Sequence, residues 1–142
     1  MDSSKLDRLF ADYEKAFDRL DLAAIARQFA DTFISAGPKG TLAQNKKEFE
    51  EKAAGAAAFY KSIGQKEARI LSKKVHPISN EYAMVTVHWA VKFEKTGEQV
   101  IEFDVSYIVQ ETNDMMKIIL FISHEDEEEA MKKLGLQPVI SQ

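Results

Sequence analysis

Three consecutive segments in the second half of the chain alternate apolar and polar residues, and this pattern constrains the fold more than any other feature. The segments are residues 82–93, 99–110 and 116–123, separated by turn-like stretches at 94–98 and 111–115. Because side chains of a strand point alternately to opposite faces, the period of two predicts strands with one buried and one more polar face. The short connections predict an antiparallel meander.

Two helices are predicted at the start of the chain. Apolar residues at helical spacing indicate a helix over residues 4–20, where Ser4 and Asp7 resemble a capping box. Asp21 is a suitable N-cap for a shorter helix over residues 22–30. Each helix has one apolar stripe, which can cover the apolar face of the sheet.

A third helix is predicted over residues 44–63. Thr41 or Asn45 could cap its start, and Gly64 lies where helices commonly end. The segment 53–58 contains only alanine and glycine. It indicates either a close approach to another backbone or simply a high helix propensity.

The remaining elements complete an α+β chain. Residues 32–35 predict a short strand leading into a Gly-Pro-Lys-Gly turn at 37–40, and residues 67–76 predict another strand. Residues 125–134 predict a short C-terminal helix, because acidic residues fill its first turn and lysines its last. No repeat or linker interrupts the sequence, so residues 1–142 are expected to form a single domain.

Composition and charge exclude several classes of protein. The net charge of −4 and the isoelectric point near 5.4 give no basic surface for nucleic acid or anionic lipid. No apolar run approaches the ~20 residues that cross a bilayer, and the N-terminus lacks signal-peptide features. A cytoplasmic protein without a membrane partner is therefore expected. Because cysteine is absent, disulfides, thiol nucleophiles and thiolate metal sites are excluded.

The order of these elements resembles the NTF2-like superfamily, which includes SnoaL-like cyclases, ketosteroid isomerases and scytalone dehydratase. Five short strings carry the resemblance along nearly the whole chain. They are Asp-Leu-Ala-Ala-Ile at 21–25, Phe-Ala-Asp at 29–31, Gly-Pro-Lys-Gly at 37–40, Phe-Tyr at 59–60 and Ile-Ser-His at 122–124. The resemblance implies a cystatin-like cone, with three N-terminal helices on a curved, mostly antiparallel sheet and a short C-terminal helix.

In such a cone, the helices and the apolar sheet face line a hydrophobic pocket, where a small apolar ligand is expected. The predicted lining is Tyr13, Phe17, Phe59, Tyr60, Trp89, Phe103, Val105 and Tyr107. The convex face is too apolar for full exposure, and it carries Met84, Thr86, His88, Ala90, Ile108, Ile119 and Phe121. The resemblance implies a symmetric homodimer paired through that face.

Ketosteroid isomerases indicate where catalytic residues would lie. Their oxyanion donor is a tyrosine of the first helix, a position that Tyr13 matches relative to Asp21. The alternative for Tyr13 is a core aromatic whose hydroxyl is satisfied at the edge of the core. Their base aspartate precedes the proline of the turn, where this chain has Gly37, and this disfavours isomerase chemistry by that route. Their protonated aspartate falls on Ser106, two residues from Asp104. Alternation predicts that both face outward, unless the register of the strand after Gly97 shifts by one residue and exchanges its two faces.

The three histidines differ in position, and so do their expected roles. His88 is the best candidate for a general base, because imidazole titrates near neutral pH, but alternation places it on the convex face. His76 is expected to be a solvated turn residue, and His124 to act as a cap or to pair with Glu125 or Asp126. No spacing fits a metal site and no phosphate-binding loop is present, so neither a metal nor a cofactor is expected.

The sequence leaves three functions open. A non-catalytic pocket for a small apolar ligand ranks first, since the usual base position holds Gly37. An isomerase, dehydratase or cyclase that uses acid/base chemistry in the same pocket ranks second. An association module, whose product is the oligomer itself, ranks third. Whether the protein is an enzyme stays open.

Overall fold

The computed structural model describes residues 1–97, 99–126 and 129. The elements in chain order are α1 (Ser3–Arg19), α2 (Leu22–Ala26), β1 (Phe29–Gly37), β2 (Gly40–Asn45), α3 (Lys46–Ser62), β3 (Gln65–Pro77), β4 (Tyr82–Phe93), β5 (Val100–Thr112) and β6 (Met115–Ser123), with one 3-10 turn between β4 and β5. None of the helices in this part of the chain combines the length and apolar character needed to cross a membrane. The predicted C-terminal helix over residues 125–134 falls mostly outside the described residues.

All six strands form one sheet in the order β2-β1-β6-β5-β4-β3. Only β1 and β6 run parallel, and the other neighbouring pairs are antiparallel. The predicted α+β fold and the β4-β5-β6 meander are confirmed. The strand β2 was not predicted, because nearly all its residues are exposed and its sequence shows no apolar alternation. As a result, the β1–β2 hairpin separates α3 from the first two helices.

Polar side chains fix the starts of the helices. The carboxylate of Asp2 accepts backbone N–H groups in the first turn of α1, so the predicted capping box of Ser4 and Asp7 is wrong. Asp21 caps α2, as predicted. Asn45, one of the two candidate caps, forms a reciprocal capping box at the start of α3.

The boundary between α2 and β1 differs from the prediction. The helix ends at Ala26 rather than at residue 30, and Phe29 already belongs to β1. Phe29 pairs with Ile118 of β6 and is 1% exposed. The pairing with β6 and the burial of the phenyl ring override the local helix preference of this alanine-rich stretch.

The helices cover one side of the sheet, here named the inner face, and the opposite side is named the outer face. Trp89 of β4 and Phe103 of β5 are cross-strand partners on the inner face, and both are buried. The ring of Tyr13 in α1 lies edge-on to the indole, with centroids 5.8 Å apart. The predicted inward orientation of Trp89 toward the N-terminal helices is therefore confirmed.

Carboxylates of α1 cover the edge strand β3. Asp18 accepts the N–H of Ala68 at 2.8 Å, and Glu14 accepts the N–H of Ile70 at 2.6 Å. Asp18 also pairs with Arg69, with 3.1 Å between Oδ1 and Nη1. An uncovered edge strand offers unpaired N–H groups to other chains, so these contacts both hold α1 in place and protect the edge.

Helix α3 packs loosely over the inner face. Ala57 is its only buried residue, and its aromatic residues Phe49, Phe59 and Tyr60 are half-buried. A Cβ atom on Gly55 would meet no atom within 4 Å, so the segment 53–58 makes no close backbone approach there. The small side chains of α3 instead face a cavity.

A β-bulge in β6 changes which residues point inward. Ile118 is fully buried on the inner face, and Phe121, three residues later, also points inward. The ring of Phe121 lies 5.9 Å from that of Phe29 and 6.4 Å from that of Tyr107. The β5–β6 register skips Ile119, which breaks the alternation. The prediction of Phe121 on the outer face is therefore wrong.

Candidate functional site

A cavity of about 300 Å³ lies between the inner face of the sheet and the helices. Its wall consists of Tyr13, Phe17, Leu20, Leu22, Ile25, Phe29, Phe49, Ala53, Ala56, Ala57, Tyr60, Trp89, Phe103, Val105, Tyr107, Phe121 and Ser123. Pockets for small molecules are typically lined in this way, by apolar and aromatic side chains with a few polar groups.

All but one of the predicted pocket residues lie in this wall, namely Tyr13, Phe17, Tyr60, Trp89, Phe103, Val105 and Tyr107. The exception is Phe59, which is half-buried on α3 with its ring 5.7 Å from that of Tyr60.

Apart from Tyr60, the wall residues on α2, α3, β1 and β6 are not among those that the sequence predicts for the pocket. The apolar stripes of the helices could have indicated Ile25 and Ala57. In contrast, no local signal places Phe29 beside Phe121, because their contact depends on the parallel pairing of β1 with β6. That pairing joins segments far apart in the sequence.

A chain of hydrogen bonds crosses the apolar wall. The indole N–H of Trp89 donates to Tyr107 Oη at 3.1 Å, and the Tyr107 hydroxyl donates to Tyr13 Oη at 3.5 Å. The second distance is at the long limit for an O–H···O bond, so it is the weaker link. The two hydroxyls give the wall a place to bind one polar atom of a ligand.

The described part of the wall contains no carboxylate, imidazole or amine. Of the catalytic candidates, only Tyr13 lies at the cavity. His88 and Asp104 face each other on the outer face, opposite to Trp89. Gly37 borders an open groove of about 510 Å³ beside the β1–β2 turn and is not part of the cavity wall.

His88 is the centre of a charged cluster on the outer face. Its Nδ1 lies 2.7 Å from Asp104 Oδ1, and its Nε2 lies 2.7 Å from Glu102 Oε1. Both ring nitrogens can donate only when the imidazole is protonated. The hydrogen bond to Glu102, followed by that to Asp104, raises the pKa of His88 above its usual value.

We expect this cluster to make stability depend on pH. Because the folded-state pKa of His88 is raised, its stabilising contribution is complete below about pH 6.5 and is lost as pH rises through the raised pKa. The ring is about one-third exposed, so solvent weakens the effect. In urea unfolding, His88→Gln should therefore lose more free energy relative to wild type at about pH 6 than at about pH 9. An equal loss at both values would contradict this, and His76→Gln at the exposed end of β3 is the control.

His124, just after the end of β6, has a different partner from the one predicted. His124 Nε2 is 2.7 Å from Ser106 Oγ, which also lies 3.0 Å from Thr86 Oγ1. The expected pairing of His124 with Glu125 or Asp126 is therefore wrong: the first accepts a backbone N–H of β5, and the second pairs with a lysine of the β1–β2 turn. Ser106 faces outward, as predicted. Within the described ranges, no group of three or more His, Asp or Glu side chains could hold a metal ion.

Helices covering one face of a six-stranded, mostly antiparallel sheet, with an apolar cavity between the layers, define a cystatin-like or NTF2-like α+β protein. The family model described as "NTF2-like protein (DUF6841)" matches residues 3–126. The chain belongs to this NTF2-like family. Among curated proteins, none matches the chain.

Solved structures support the same fold. An NTF2-like protein of unknown function from Shewanella oneidensis is 18% identical, with a TM-score of 0.64 over 88% of this chain and 100% of that one. One from Pseudomonas putida is 11% identical, with a TM-score of 0.72 over 87% and 85%. A ketosteroid isomerase-like protein from Erwinia carotovora is 16% identical, with a TM-score of 0.60 over 83% and 91%. At these identities the similarity establishes the fold alone.

Proposed function

We propose that this protein is a cytoplasmic binding protein for a small apolar molecule, which it holds in the cavity between helices and sheet. The observation that carries the proposal is the apolar, largely aromatic lining of the cavity. Its described residues are aromatic, aliphatic or small, and the polar groups among them are the hydroxyls of Tyr13, Tyr60, Tyr107 and Ser123 and the indole N–H of Trp89. Burying the apolar surface of a ligand here supplies the free energy of binding.

The volume of the cavity limits the size of the ligand. An apolar protein cavity of about 150 Å³ can bind benzene. The cavity of about 300 Å³ therefore suits a molecule of about two fused rings. The alanines of α3 keep this volume open, because larger side chains at Ala53 or Ala57 would project into it.

Filling the cavity should abolish binding. We expect naphthalene to bind the wild type saturably and to change the fluorescence of Trp89, the single tryptophan, which lies in the wall. Ala57→Phe should weaken binding more than about tenfold, because the phenyl ring occupies the space of the ligand. Ala58→Phe is the matched control, since Ala58 is exposed on the same helix. Unchanged naphthalene affinity in Ala57→Phe would show that the probe binds elsewhere.

Catalysis in the same cavity is the second candidate. The paired hydroxyls of Tyr13 and Tyr107 favour it, because a tyrosine pair can stabilise a developing oxyanion. An isomerase, dehydratase or cyclase also needs a proton acceptor. The described wall supplies no carboxylate or imidazole for that role, and this is why binding ranks above turnover.

We also propose that two chains pair through the outer face as a homodimer. Ile34, Leu120, Ile108 and Met84 are successive cross-strand partners and form an apolar row over four strands. Ile122 lies beside this row and is 41% exposed. Exposed apolar patches of this kind are common association surfaces. If association were the whole function, the dimer would form and no apolar probe would enter the cavity.

A charge placed in this patch should separate the chains. We expect sedimentation velocity to give a dimer for the wild type and a monomer for Ile122→Lys, because a lysine at the centre of an apolar interface costs more to desolvate than the contact returns. Ile78→Lys is the control, since Ile78 is also exposed but lies in the β3–β4 loop. A wild-type monomer, or a dimer that persists in Ile122→Lys, would overturn the pairing.

A further inference from the structure

The side chain of Gln65, the first residue of β3, is fixed by the end of α1. Its Nε2 group donates to the carbonyl oxygens of Phe17 and Asp18, at 2.9 Å and 3.3 Å. Reversing the amide would place its oxygen against two carbonyl oxygens, so the assignment of nitrogen and oxygen is determined by chemistry. The amide oxygen therefore lies on the side away from α1.

This oxygen is buried, and no donor of the described residues lies within hydrogen-bond distance of it. It is the one buried side-chain nitrogen or oxygen atom in the described part of the chain with that property. A buried acceptor without a donor loses its hydration and gains nothing in return, so such atoms are rare unless they serve another purpose.

Gln65 borders a void of about 10 Å³, together with Val91, Phe93 and Ile101. The other residues around this void are Phe17, Tyr60 and Phe103, and all three also line the main cavity. Phe17 and Tyr60 lie on helices and are only half-buried, whereas Phe103 is buried in the sheet. The two helical rings are therefore the movable part of the partition between the acceptor and the cavity.

We propose that Gln65 Oε1 is the polar anchor of the ligand, and that the ligand is an apolar molecule with a hydroxyl group at its inner end. This inference rests on the proposed binding function. The oxygen can only accept, so it selects a ligand with a donor, such as a hydroxyl, and disfavours a ketone, ether or carboxylate at the same position. The ligand displaces the rings of Phe17 and Tyr60, and its hydroxyl donates to the oxygen while Nε2 remains bound to α1.

Matched probes test this selectivity through the fluorescence of Trp89. We expect naphthol to bind the wild type about tenfold more tightly than naphthalene or methoxynaphthalene, which cannot donate. In Gln65→Met, which keeps the length of the side chain, the three probes should bind within about twofold of one another. An equal preference for naphthol in both proteins would overturn the inference but leave the binding function intact. If none of the three probes binds the wild type, the binding function itself fails.

A second measurement avoids the risk that Gln65→Met folds poorly. In the wild type, adding naphthol should shift the side-chain amide resonances of Gln65 in ¹⁵N-resolved spectra, since hydrogen bonding to the oxygen polarises the whole amide. Methoxynaphthalene bound in the same cavity should leave those resonances nearly unchanged. Identical shifts with both probes would mean that the Gln65 resonances respond to any molecule in the cavity, and this would contradict a role for Gln65 as the anchor.

Discussion

Replacing Phe29 by alanine should lower the free energy of unfolding by about 3 to 5 kcal/mol, because it removes a fully buried aromatic ring from the core. The ring lies 4.4 Å from that of Phe33 and 5.6 Å from that of Phe49, measured between centroids. It also contacts Tyr13 and Phe121, so it joins α1, α3 and β6. Urea unfolding followed by circular dichroism measures the loss.

The matched control removes the same side chain from a different environment. Phe59 is half-buried on α3, is not part of the cavity wall, and its one described ring neighbour is Tyr60. We expect Phe59→Ala to cost much less than Phe29→Ala, since little packed surface is lost. Equal losses for the two variants would mean that α3 is held against the sheet more firmly than its exposure indicates.

Removing the carboxylates that cover β3 should cause the second-largest loss in the free energy of unfolding among the changes proposed for this protein. Asp18→Ala and Glu14→Ala each leave a backbone N–H of the edge strand without its charged acceptor, at a cost of about 1 to 3 kcal/mol apiece. The double variant should also associate as protein concentration rises, because its exposed strand edge can pair with that of another chain. Urea unfolding and light scattering over a concentration series measure the two effects.

Asp12→Ala provides the control for this edge. Asp12 is an exposed carboxylate of the same helix, and neither of the covered β3 amides bonds to it. Its loss should change stability by less than about 0.5 kcal/mol. A double variant that unfolds like Asp12→Ala and stays monodisperse would show that α1 is held by its apolar stripe alone.

Local patterns predicted the parts of the fold in which each residue's environment follows from its neighbours in sequence. The alternation in β4 and β5 placed Trp89, Phe103 and Tyr107 on the inner face and His88 and Asp104 on the outer face, and the register agrees. The prediction of the meander was correct because its strands follow one another in the sequence and are joined by short turns. The apolar stripe of α1 is buried, as predicted, for the same reason.

The errors occur where one segment meets a distant one. Alternation assigned Phe121 to the outer face, but the bulge at Ile119 reverses the alternation in the rest of β6 and turns Phe121 inward. The alanines of α3 indicated either close packing or a high helix propensity, and neither alternative predicts that Ala53 and Ala57 border a cavity. Neither a bulge nor the space beside a helix can be recognised from residues nearby in the sequence, because both depend on the strand or layer that packs against that segment.

The sequence by itself determined the elements, the inner and outer faces of the meander, and the aromatic character of the space between the layers. These follow from periodicity and side-chain chemistry, which act between neighbours in the chain. Only the tertiary structure decided that α3 stands away from the sheet and leaves about 300 Å³ open, and that the oxygen of Gln65 is buried near that space without a donor. Both depend on how α1 and α3 sit on the sheet, because cavity volume and hydrogen-bond partners are properties of packed layers rather than of any one segment.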